Sequence, residues 1–185
     1  MLLQVLPLGR TRTVDADISK FFRELLSWKT VLEFNNHVPS ILRTNFDGLH
    51  YSSESNRIDF HTQIFRNGGV EFFSSFLFHK DTAGDYIIFQ DNFSSWIANA
   101  GNGAIKFLQT QSQVEPSYIV MLTLIDVDNL PIRHDKLISF TPRGFQQRDL
   151  KFTPLVIDEA GDDEVCRVLD QISEFAFQAA GLSGK

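Results

Sequence analysis

The side chains in this sequence that could do chemistry are five histidines, one cysteine and several aspartates. His37, His50, His61, His79 and His134 are dispersed. No pair has the i, i+4 helical spacing or the cysteine partners of a metal site. His50 and His61 could meet if their segments pair as strands, giving a two-histidine site. Ordinary polar or half-buried histidines are the simpler account. Asp126, Asp128 and Asp135 follow an apolar run and could hold a divalent cation, as hydrolase carboxylates do. Acidic residues in turns more often serve local backbone hydrogen bonds.

Cys166 lies near an expected helix start, where a thiolate is favoured. It stands beside the apolar stripe with no histidine close in sequence, so a small core residue is expected rather than a nucleophile. There is no Gly-x-Ser-x-Gly elbow. Gly101-Asn102-Gly103 is not a phosphate loop, because no lysine-serine or lysine-threonine pair follows and no strand feeds it. Arg10, Arg12, Arg43, Arg143, Arg148 and Lys151 could group into a basic patch, with a solvated surface as the default. The acidic run Asp158, Glu159, Asp162, Asp163 and Glu164 reads as a loop followed by a helix cap. No catalytic residue, metal or cofactor is expected from these patterns.

The elements that would position these groups begin with His61–Phe78. It reads as two strands joined by a two-residue turn at Asn67 and Gly68, with Gly69 absorbing a bulge. Leu2–Leu8 is apolar on both faces, like a strand buried on both sides, and Pro7 marks an edge or bulge at its end. Ile18, Phe21, Phe22, Leu25 and Leu26 repeat at helical spacing, with Asp15 or Asp17 as the cap. Asn45–Tyr51 reads as a short strand with an Asp-Gly turn signal.

Phe89, Phe93, Trp96, Ile97, Ala100, Ala104, Phe107 and Leu108 share one face of a helix over about Asp91–Gln111. Gly101 and Gly103 each cost that helix roughly 1 kcal/mol against alanine, which a kink or a close approach would explain. Tyr118–Val127 is almost wholly apolar, as a central covered strand should be. Lys136–Phe140 and Phe152–Ile157 read as further strands.

A last helix is capped by Asp162 or Asp163. It buries Val165, Val168, Leu169, Ile172, Phe175, Ala176 and Ala179, and Gly181 stops it. Phe177 falls off that stripe. It is a candidate partner contact, although burial at the core edge is the simpler account because single exposed aromatics are common, and Trp28 is a second candidate contact.

The 185 residues suit a single domain. Eighteen phenylalanines promise a core or interface rich in flat side chains. A net charge of −6 argues against a surface that tracks phosphates over the whole domain. One cysteine excludes an internal disulfide and fits a reducing, cytoplasmic setting. The apolar start spans only about eight residues, too short to cross a membrane. It also lacks the features of a signal peptide.

Several stretches recur in a familiar order: LLQVLPL, NFDGLHY, QIFRNGGVEF, VEPSYIVMLTLIDV and LKFTPLVIDE, then a final helix ending AAGL. Together they resemble the C-terminal region of bacterial Schlafen-like, AlbA-type DNA-binding or ATP-binding proteins, often described as helix-turn-helix or transcriptional regulators. In that family the nucleic-acid or nucleotide activity belongs to an N-terminal domain with no counterpart here. The resemblance therefore implies a C-terminal accessory module, and no family catalytic residue carries over.

The expected fold is α+β, an antiparallel sheet of five or six strands with helices packed on it, GAF- or profilin-like by analogy. The expected role is a non-enzymatic regulatory module, self-associating or bound to a protein partner. Nucleic acid would be met only indirectly, through another domain, and no membrane is expected. A small-ligand sensor and a metal-dependent hydrolase or nuclease are the alternatives.

Overall fold

The computed structural model describes residues 1–8, 41–45, 47–52, 60–66, 68–75, 77–80, 84–111, 116–133, 144–159 and 161–182. The strands are β1 (Leu2–Pro7), β2 (Ile41–Asn45), β3 (Gly48–Ser52), β4 (Phe60–Phe65), β5 (Val70–Ser74), β6 (Phe78–Lys80) and β7 (Tyr86–Phe89). The helix α1 (Gln90–Gln111) follows, then β8 (Tyr118–Leu124), β9 (Ile132–Arg133), β10 (Leu150–Lys151), β11 (Leu155–Ile157) and the helix α2 (Asp162–Ala179).

The fold is α+β. The main sheet is antiparallel throughout, in the order β10-β8-β1-β5-β4-β3-β2, with β11 also on β8. It is wider than the five or six strands expected. The outer neighbour of β8 is broken in two, and Pro154, which has no N–H to give a ladder, lies between the halves. The expected Phe152–Ile157 strand is therefore only Leu155–Ile157.

A second sheet, β6-β7-β9, includes a parallel pair and was not anticipated. Phe89 ends β7 rather than opening the helical face. The hairpin β4–β5 is present, but its turn is wider than two residues. Ile64 and Val70 are the last registered pair. The Phe65 carbonyl accepts the Gly68 N–H, and the Phe65 N–H donates to the Gly69 carbonyl. Asn45–Tyr51 is the end of β2, a turn and most of β3, so it belongs to a second hairpin.

β1 lies inside the sheet, between β5 and β8. Pro7 is tolerated because pairing with β5 stops at Val5↔Val70, while Leu8 donates to Ser117 on the β8 side. Alternation sends Leu3, Val5, Val70, Phe72, Val120 and Leu122 to one face, where all are buried. Phe93, Ile97, Ala100, Leu108, Val168, Leu169, Ile172 and Ala176 of the two helices join them in one cluster.

Gly101 explains itself at the helix contact, since a Cβ there would come 2.3 Å from the Leu169 side chain. The N-cap of α2 is Gly161, with no side-chain cap bond, so Asp162 and Asp163 lie inside the first turn. They still face the helix's positive end, together with Glu164.

Phe177 is 4% exposed and its ring sits 5.7 Å from that of Phe93. It is a core residue, and the partner-contact expectation for it is corrected accordingly. Ser173 and Phe177 widen the buried stripe of α2, while Phe175 and Ala179 are half-buried. The helix expected over Ile18–Leu26, the strand expected at Lys136–Phe140 and Trp28 lie outside the described residues.

Candidate functional site

The opposite, outer face of the main sheet follows from the same alternation. β1 presents Leu2, Gln4 and Leu6, β5 presents Glu71 and Phe73, and β4 presents His61, Gln63 and Phe65. His50 comes from β3, and Ile119, Met121 and Thr123 come from β8. Strand register lines up Gln4, Glu71, Gln63, His50 and Arg43 as one row across β1, β5, β4, β3 and β2.

Within this face one cluster is closely bonded. Gln4 Nε2 donates to Glu71 Oε2 at 2.7 Å. His61 Nε2 lies 3.2 Å from Glu71 Oε1, and an ionised carboxylate only accepts, so Nε2 carries the proton. The His61 ring stacks on Phe73 with centroids 5.2 Å apart and planes 14° apart. His50 approaches His61 to 5.2 Å between ring centroids, so the two histidines do meet across paired strands. The hydrogen bond from His61 holds the Glu71 carboxyl below its usual range. Burial opposes this, while Gln4 and the charges of both histidines add to it.

The chemistry available here is an oriented imidazole beside a satisfied carboxylate, able to exchange a proton or to meet a polar group of a partner. Among the described residues, no three His, Cys, Asp or Glu side chains form a group that could hold a metal ion.

A second part of the same face is apolar. Leu6, Ile119 and Val156 form one line across β1, β8 and β11. Leu8 is 50% exposed and Val156 41%, while Leu6, Ile119 and Met121 are half-buried. Neighbouring apolar side chains open to water mark a contact surface more often than isolated ones do. The sequence reading missed Glu71, Gln4 and this apolar line. The V-E-F alternation after the hairpin was the available signal for Glu71.

The other candidates have local roles. Asp126 and Asn129 adopt positive φ angles of 59° and 58°, which short polar side chains tolerate. Arg148 Nε donates to Asp126 Oδ1 at 3.0 Å, and the Asp126 N–H donates to Asp149 Oδ1 at 3.0 Å. Asp128 bridges to Phe145 through its backbone. These are turn roles, and Asp135 lies outside the described residues.

His79 Nε2 is 3.2 Å from Asn92 Nδ2, whereas His37 and His134 lie outside the described residues. Of the expected basic patch, Arg43 and Lys151 stand on strands at opposite edges of the sheet, while Arg10, Arg12 and Arg143 lie outside the described residues. Cys166 is exposed, which corrects its expected place in the core. Arg167 forks onto Glu164 with two 2.7 Å bonds and holds that carboxyl below its usual range. No described helix is long and apolar enough to cross a membrane.

No family model matches the chain, and the searches of curated proteins and of solved structures returned no match.

Proposed function

We infer that this chain is a non-enzymatic contact module, regulatory or assembling in role, whose working surface is the outer face of the main sheet. The observation carrying this reading is the apolar line of Leu6, Ile119 and Val156 with Leu8 beside it, in which Leu8 and Val156 are exposed and Leu6 and Ile119 half-buried, on a face that neither described helix covers. The adjoining Gln4–Glu71–His61–His50 cluster supplies polar groups that would fix the orientation of whatever docks.

The stretches resembling Schlafen-like, AlbA-type proteins support placing the module beside a DNA- or nucleotide-handling protein in the bacterial cytoplasm, in transcriptional regulation or defence. Nucleic acid would then be met through that other protein. The sensor and hydrolase alternatives draw on no comparable observation among the described residues.

Site-specific photo-cross-linking tests this reading. A photoreactive phenylalanine analogue at Val156 should give defined adducts in source cells, while the same probe at Asp170, exposed on α2, should not. Equal labelling from both positions, or from neither, would refute it.

A further inference from the structure

We propose that the occupant of the β1–β8–β11 corner is a second copy of this chain, packed face to face about a two-fold axis running across the strands. The proposal rests on the contact-module reading above and names its partner.

The argument is one of charge and symmetry. Lys151 pairs with Thr123 at one end of β8 and projects to the outer face beside it. At the other end Ser117 Oγ donates to Asp158 Oδ1 at 3.1 Å, so Asp158 marks that end. The apolar line through Ile119 and Val156 lies between them. Both charged residues are exposed. The strip therefore reads cation, apolar centre, anion along the strand direction. Thr123 and Ser117 are about 20 Å apart at the usual rise of an antiparallel strand.

An axis crossing the strands near Val120 reverses one copy over the other. It keeps β8 above β8 and sets each Lys151 against Asp158 of the second copy, twice in one interface. Ile119 then meets Met121, and Leu6 and Val156 enclose the centre. A self-complementary patch of this kind closes a dimer and stops there, because both copies use the same surface. Packing an antiparallel sheet on its own copy also shields side chains that alternation leaves outside the core.

Sedimentation equilibrium of the full chain, from micromolar to sub-millimolar concentration, tests this. The unsubstituted protein should be a dimer at the upper end. Val156→Asp should weaken association by roughly tenfold or more. Lys151→Glu and Asp158→Lys should each weaken it, since each sets like charges against one another. Combining the two should restore it, because the pairs are again opposite. Circular dichroism melts of all variants confirm that each is folded.

A monomer across the whole range overturns the proposal. So does a dimer indifferent to Val156→Asp, or charge reversals that fail to compensate. A monomer whose probe at Val156 still cross-links one other protein overturns the second copy and leaves the contact-module reading standing. A monomer with no adduct overturns both.

Discussion

Gly48 opens β3 at φ 150°, a backbone conformation that L side chains rarely adopt. It pairs with Phe65 on β4 and Asn45 on β2. A Cβ at this position would lie 1.9 Å from the Ile64 carbonyl oxygen and 3.1 Å from the Phe65 Cα. Both obstacles are main chain, so no side-chain rotation makes room. In Gly48→Ala, either residue 48 changes its dihedral angles or β4 moves away.

The strain of an unfavourable φ costs about 1–3 kcal/mol. Each ladder hydrogen bond lost as the strands separate adds about 1 kcal/mol. Together the substitution should remove about 3 kcal/mol, a large share of the 5–15 kcal/mol typical of a whole domain. Urea unfolding followed by circular dichroism measures this as a lower midpoint with an unchanged slope. A loss below about 0.5 kcal/mol, the range of an ordinary surface substitution, would refute the close approach of β3 to β4.

Four further outcomes follow from the structure. Gly101→Ala meets the movable end of Leu169 rather than a backbone, so a helix-propensity gain of about 1 kcal/mol offsets overpacking of about 1–3 kcal/mol, and the net loss is well below that of Gly48→Ala. Phe177→Ala should cost about 3–5 kcal/mol in the same denaturation assay, whereas a residue serving only a partner would cost almost nothing.

The Glu71 carboxyl is held below its usual range, so its contribution to stability is complete above the unfolded value of 4.5 and is lost as pH falls from there. Glu71→Gln should flatten that part of the pH–stability curve by at most about 1 kcal/mol, because the pair is only partly buried and water still screens it. Cys166, being exposed, should react stoichiometrically with a thiol reagent in the native protein; reaction that requires denaturant would return it to the core.

What could be read from the sequence was set by how many residues each element offers to a period. The 22-residue α1 and 18-residue α2 gave several turns of regular spacing and were placed almost to the residue. β8 and the β4–β5 hairpin were equally plain, through an apolar run and a glycine-marked turn. β9 and β10 have two residues each and cannot display an alternation. β7 was hidden because its Phe89 is in phase with the helix that starts at the next residue.

The meeting of His50 and His61 was foreseeable from alternation plus pairing. Glu71 was not singled out, because a lone glutamate in a strand looks like an ordinary solvated residue until its neighbours are known. The cap of α2 was misplaced because the acidic residues that favour a helix start are equally at home one position inside it.

The interior position of β1 has a consequence for synthesis. Its partners on the two sides are β5 and β8, and Leu3 must wait for Leu122, roughly 120 residues further along the chain. At ribosomal speeds of about 5–20 residues per second, β1 spends roughly 6–24 s outside the tunnel before that seam can close. During that interval an apolar strip lies bare, and nascent-chain chaperones would have most reason to hold this protein there.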